Sequence, residues 1–216
     1  MKKLVLYICL WLLALVAAVT ATPTADNIGF AATHMCTNST VIVPLNITNT
    51  SEPIVAFICN VHFNTNITQV VSVTQSALTS HWDILYSNKP YGIRIAGVYD
   101  SNISHAIPSR ATGPIALLHF KSLTPGQTNL NLSDIQLSGP DYTVGTASAQ
   151  NSTLTVWKRG DLNGDGEVAT ISDVGLMWDA FLGLRQTDCR YDMNEDGKEA
   201  GIGDVALIWH MYLGEA

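Results

Sequence analysis

The chain has 216 residues, 11 basic and 18 acidic, with a formal charge of −7; 47% of residues are hydrophobic and 13% charged. That is apolar enough for a packed core and too sparsely charged for a disordered segment. The acidic balance excludes nucleic acid and anionic membrane surfaces, both of which call for clustered Lys and Arg.

At the N-terminus, Lys2 and Lys3 precede an apolar run from Leu4 to Val19, followed by Val19-Thr20-Ala21. A basic region, an apolar stretch and a small-residue exit predict a secretory leader over residues 1–21, cleaved after Ala21. The alternative is an uncleaved anchor, because Leu4–Ala21 is near the minimum length of a spanning helix. No later apolar run is long enough to span, so the rest of the chain is expected outside the cell, secreted or at the cell surface. Seven Asn-x-Ser/Thr acceptors agree with export: Asn38, Asn46, Asn49, Asn66, Asn102, Asn131 and Asn151. None follows residue 153.

Charge divides the chain as well. Residues 22–157 carry six acids and four bases, and residues 158–216 carry 12 acids and five bases. Lys158-Arg159-Gly160 is a short joint between a nearly neutral unit and an acidic one.

The first unit reads as all-β. Val41, Val43 and Leu45 alternate with Ile42, Pro44 and Asn46, and residues 91–99 alternate likewise. Ile54–Phe63, Ile115–Phe120, Leu130–Leu137 and Leu154–Trp157 add further apolar runs between Gly, Pro and Asn turns. Eight or nine short strands at this spacing predict a sandwich. It contains no nucleophile elbow, phosphate loop or zinc-protease motif. An acid pair such as Asp83 and Asp100 is conceivable as hydrolytic chemistry, but nothing local favours it, so no catalytic residue is expected.

The second unit is a duplication. Residues 161–183 shifted by 31 fall on 192–214 with 12 identities in 23 positions. Each copy opens D-x-N-x-D-G, which is how a hard cation such as Ca2+ collects oxygen ligands at positions 1, 3 and 5 before a tight turn. The candidate ligands are Asp161, Asn163, Asp165 and Asp173 with the Glu167 carbonyl, and Asp192, Asn194, Asp196 and Asp204 with the Lys198 carbonyl. Two Ca2+ ions are expected. The closing Asp stands at position 13 rather than 12, which places one inserted residue near Ala169 and Ala200. Loop two departs further, with Glu199 where loop one has the apolar Val168. Val174, Met177, Trp178, Phe181 and Leu182, like Val205, Ile208, Trp209, Tyr212 and Leu213, recur at helical spacing. These stripes are expected to pack on each other, with the repeated Trp in the core as the favoured reading and a docking anchor as the alternative.

The duplicated loop-helix over residues 160–215 resembles the dockerin module, a pair of calcium loop-helix units that plugs into cohesin domains. The unit before it, residues 26–157, resembles a cohesin, a jelly-roll sandwich related to carbohydrate-binding folds. That likeness rests on Val41-Ile42-Val43-Pro44-Leu45, on Ile115–Lys121 and on Thr124-Pro125-Gly126. The resemblance implies a jelly-roll sandwich followed by a small all-α calcium-binding domain. It implies a non-enzymatic extracellular adaptor or scaffold, whose partners are cohesin and dockerin domains of other proteins or of a second copy, with a link to polysaccharide binding or breakdown. The alternative is a carbohydrate-binding surface protein tethered by its dockerin, with Trp82, Tyr86, Tyr91 and Tyr99 as candidate sugar platforms.

Beyond the leader stand Cys36, Cys59 and Cys189. A Cys36–Cys59 bridge is one possibility, leaving Cys189 as a buried thiol or an intermolecular link.

Overall fold

The computed structural model describes residues 22–215; the expected leader lies outside them. The strands are β1 (Ala25–Gly29), β2 (Thr33–Cys36), β3 (Thr40–Thr50), β4 (Ala56–His62), β5 (Thr68–Thr74) and β6 (Trp82–Lys89). They continue with β7 (Gly92–Tyr99), β8 (Gly113–Ser122), β9 (Gly126–Ser138), β10 (Val144–Gly145), β11 (Ala147–Gln150) and β12 (Ser152–Trp157). Two helices follow, α1 (Ile171–Phe181) and α2 (Ile202–Leu213).

The strands form two sheets. One has the order β11-β1-β3-β8-β5; the other has β2-β12-β9-β4-β7-β6, with β10 paired to β9. Most pairs are antiparallel, but β1 pairs parallel with β11 and β2 parallel with β12. The opening strands thus close against the closing ones, one in each sheet. Period-two alternation aims Val43, Leu45 and Ile47 of β3 inward, all fully buried. They meet Val61, Ile93, Ile95, Phe120, Leu130 and Leu154 in one core. Full burial of each such side chain stabilises the fold by about 1.5–3 kcal/mol.

Among the described residues there are twelve strands where eight or nine were expected. The additions include β2, β5, β6 and β11, which are the four sheet edges. Only Trp82 of β6 is buried, and from Tyr86 to Lys89 the strand is exposed. An edge strand pairs on one side and carries polar side chains, so its sequence loses the apolar alternation that marks an inner strand.

The helical unit has its own small core of Leu162, Ala169, Val174, Met177, Ala180, Tyr191, Ala200, Val205 and Ile208. The stripes do not bury as expected. Val174 and Met177 share that core with Val205 and Ile208, but Trp178 and Phe181 stay 43% and 41% exposed, and Trp209 and Tyr212 42% and 43%. Leu182 and Leu213 are exposed too. Two short helices cover only a narrow seam, so the flanks of each stripe face outward.

The cysteine pairing differs from the expectation. Cys36, at the end of β2, is bridged to Cys189, 153 residues away. Cys59 points from β4 into the sandwich core as a thiol, and burial pushes its pKa up to about 12 against a small opposing pull from Arg94. Cys36 and Cys59 lie on strands separated by β12 and β9, out of bridging reach. Around the bridge, the Arg190 guanidinium lies 4.3 Å from the Trp157 ring centroid, and His34 stacks on the same Trp157 at 4.1 Å. Asn38 Nδ2 donates to Glu195 Oε1 at 3.2 Å. A disulfide, a cation–π contact and a side-chain hydrogen bond therefore hold the sandwich against the second loop.

Candidate metal centre

Each loop is wound by its own Asn and Asp side chains. Asn163 Oδ1 accepts from the Asp165 N–H (2.9 Å), and Asp165 Oδ1 accepts from the Glu167 N–H (2.8 Å). Asp161 accepts from Gly164 N–H at Oδ1 (2.9 Å) and from Gly166 N–H at Oδ2 (3.0 Å). The first two are the turns that short Asx side chains make with backbone two residues on. Gly166 sits at φ 92° and Gly197 at φ 83°, a region that disfavours any residue with a Cβ.

The inserted residue is Ala169 in one copy and Ala200 in the other. Both adopt left-handed backbone, φ 57° and 53°, and their N–H groups donate to the Gly160 and Tyr191 carbonyls at 3.1 and 3.0 Å. The bulge is absorbed there, before the helix starts. Thr170 then caps α1, and Asp173 stands three residues on as its reciprocal partner.

Asp173 ties loop to helix. Its Oδ1 accepts from Leu162 and Asn163 N–H (2.8 and 3.1 Å), and its Oδ2 from Thr170 N–H (2.8 Å). Asp204 does the same: Oδ1 accepts from Met193 and Asn194 N–H (2.7 and 3.1 Å), and Oδ2 from Gly201 N–H (2.7 Å). Asp192 accepts from Asp196 and Gly197 N–H. Asn194 and Asp196 repeat the two Asx turns at 3.0 and 2.9 Å.

Asp173 and Asp204 are fully buried, and Asp161 and Asp192 are 9% exposed. Buried carboxylates are costly unless a cation or several donors compensate them. Among the described residues no cationic side chain pairs with Asp161, Asp173 or Asp204. Asp192 has Arg159, with Nη1 3.6 Å from Oδ2, while Arg159 Nε reaches Glu195 at 3.3 Å. The Glu167 N–H bond, followed by Asn163 Nδ2, holds the Asp165 carboxyl below the usual carboxylate range. The donor set is all hard oxygen and mostly anionic, which suits Ca2+. In neither loop do three carboxylates lie within 4.8 Å of one another, so an ion bound at about 2.3–2.6 Å would draw them inward.

The structure thus gathers Asp161, Asn163, Asp165 and Asp173 in one hydrogen-bonded loop, and Asp192, Asn194, Asp196 and Asp204 in the other. Glu167 and Lys198 leave each loop with exposed side chains. The motif did not flag Arg159 and Arg190. They are offset by the same 31 residues as the repeat, and each contacts the region of the other copy's loop or its flank. Extending the repeat alignment two residues upstream would have found them.

Two apolar faces accompany the loops. Ile171, Trp178, Phe181 and Leu182 on the first copy, and Ile202, Trp209, Tyr212 and Leu213 on the second, are exposed at equivalent positions. On the sandwich, a groove of about 300 Å3 runs across the outer face of β9-β4-β7-β6, lined by Ile58, Leu85, Ala96, Val98 and Val144, with Asp83 at its margin. The four candidate sugar residues of the alternative reading do not form one exposed face. Trp82 is core, its indole N–H donating to the His105 carbonyl at 2.7 Å, and Tyr91 is stacked on His62 at 4.5 Å.

No family model matches the chain, and no curated protein matches it. Solved structures do. A complex of a CaDoc0917 variant with CaCohA2, the latter from Clostridium acetobutylicum, gives 17% identity over 61% of this chain and 99% of that one, with a TM-score of 0.52. A non-cellulosomal cohesin from the hyperthermophilic archaeon Archaeoglobus fulgidus is 19% identical over 67% and 97%, at 0.52. The Coh-OlpC–Doc435 complex from Clostridium thermocellum gives 14% identity over 64% and 99%, at 0.51. These likenesses are of fold: the sandwich is cohesin-like.

Proposed function

We propose that the chain is a non-enzymatic extracellular adaptor. Its helical unit acts as a dockerin, folded around two Ca2+ ions, and docks onto a cohesin domain. Its sandwich receives a dockerin from another protein or from a second copy. The observation that carries this reading is the doubled apolar face, four exposed side chains repeated on each loop-helix copy. A soluble domain leaves such a patch open chiefly where a partner covers it. The duplication offers that partner two equivalent faces.

Ca2+ would be held by Asp161, Asn163, Asp165, Asp173 and the Glu167 carbonyl, and by Asp192, Asn194, Asp196, Asp204 and the Lys198 carbonyl. Bound there, it supplies the positive charge that the buried carboxylates lack. The chain's own part is to hold Asp173 and Asp204 at the helix starts, so that loop and docking helix move as one body. On the sandwich, the groove beside Leu85 and Val98 is the apolar surface that fits a docking helix. The two solved complexes named above pair a cohesin with a dockerin, which supports the same direction.

The test is calorimetric titration of Ca2+ into the chelator-treated full chain. Two bound ions, reduced to one by Asp161→Ala or Asp192→Ala, agree with the reading. No binding overturns it.

The carbohydrate reading keeps one supporting observation, a polar groove of about 430 Å3 where Tyr91 and His62 stack beside Asn64, Gln127, Asn129 and Asn131. Retardation of the chain in a gel containing soluble polysaccharide, abolished by Tyr91→Ala, would favour it over the adaptor.

A further inference from the structure

We infer a second, chemically distinct metal site on the sandwich, a Zn2+ clip formed by His81, Asp100 and His105. The β6–β7 ladder pairs Trp82 with Tyr99, so His81 and Asp100 are the next residues out on the two facing strands. Cross-strand neighbours at this spacing are within side-chain contact. Trp82 then brings in the third group. Its buried ring donates its N–H to the His105 carbonyl at 2.7 Å and pins the short turn Ile103–His105 beside the ladder end. Asn102 caps that turn, accepting from the Ser104 N–H at 3.1 Å.

One ligand atom from each of the three side chains lies within 4.8 Å of the other two, the one such group of His, Cys, Asp and Glu among the described residues. Asp100 Oδ1 accepts from the Asn102 N–H, and Oδ2 stands 2.8 Å from His105 Nδ1. That contact already sets a carboxylate oxygen and a ring nitrogen side by side, and an ion would replace the proton between them. The His81 ring lies face to face with His105, centroids 3.9 Å apart at 12°. It is exposed, and among the described residues no hydrogen bond holds it, so it can turn a ring nitrogen toward an ion shared with the other two.

Ligand type decides the metal. Two imidazoles and one carboxylate suit Zn2+, with bonds of about 2.0–2.2 Å and a fourth position for water. The all-oxygen loops of the helical unit suit Ca2+ instead, so the two ions sort to opposite parts of the chain. The clip ties the turn before β6 to the turn after β7 and firms the edge of the sheet.

The test is Zn2+ titration of the full chain saturated with Ca2+, followed by calorimetry, with circular dichroism confirming that each variant is folded. The expected result is one Zn2+ per chain, weakened by about 10-fold or more in His81→Ala, His105→Ala and Asp100→Asn. His210→Ala is the control, since His210 pairs with Glu215 at 2.9 Å without a second imidazole, and it should leave the affinity unchanged. Co2+ in place of Zn2+ should give a visible spectrum that His81→Ala removes. Absence of Zn2+ binding, or equal binding by the wild type and His105→Ala, would overturn the inference.

Discussion

The sandwich and the helical unit bury different things. Among the described residues, the sandwich core holds 25 buried apolar side chains and the helical core nine. The sandwich's buried polar residues, such as Thr50, Asn60 and Thr68, are all neutral, whereas the helical unit buries four carboxylates. Apolar area therefore suffices for the first. The second lacks enough of it and must draw stability from outside its own core, as small domains do. The Cys36–Cys189 bridge is one such source, and Ca2+ is the proposed other.

That contrast can be broken most forcefully at the bridge. Replacing Cys36 and Cys189 together by Ser should cost about 5 kcal/mol in the chain-entropy account of a 153-residue closure. Denaturant unfolding should show the loss mainly in the helical unit; an equal loss in both would contradict the division. Next comes the sandwich core. Phe120 is fully buried and packs edge-on to Phe63 at 5.2 Å, so Phe120→Ala should cost about 3–5 kcal/mol. Ca2+ affinity should be unchanged, which titration of the variant would check.

Much of this was legible beforehand, and for physical reasons. Inner strands such as β3 and β8 bury alternate residues and write that period into the sequence. The edges β2, β6 and β11 pair on one side only and do not, and β5 alternates only over Thr68–Val71, where the buried row starts with a polar Thr. The loop oxygens were readable because Asn and Asp at fixed spacing have little else to do. The insertion at Ala169 and Ala200 was visible as a count, and its left-handed backbone was not, since nothing about Ala announces it. The exposure of Trp178 and Trp209 was misread because helical period alone cannot say how wide a seam the partner helix covers. The Cys36–Cys189 bridge and the His81–Asp100–His105 group depend on pairings across the fold, which spacing along the chain does not encode.

Smaller effects sharpen the comparison. Gly166→Ala and Gly197→Ala meet open space but force a Cβ onto φ 92° and 83°, so each should cost about 1 kcal/mol, seen as a lower Tm of the helical unit alone. The smallest effect is with pH. Burial raises the Asp188 carboxyl, but the side-chain and backbone hydrogen bonds from Arg190 outweigh it and hold it below its ordinary 3.8. A carboxyl lowered by folding contributes stability above that value and loses it as pH falls below. Acid titration should therefore loosen the Arg190–Trp157 contact below about pH 4, and Asp188→Asn should remove that pH dependence, as followed by Trp fluorescence.

The most direct measurement is amide hydrogen exchange of the full chain, read peptide by peptide, with Ca2+ and with chelator. The account predicts that chelation strips protection from residues 158–215 and leaves β3, β4, β8 and β9 protected. Protection unchanged throughout, or lost equally in the sandwich, would contradict it.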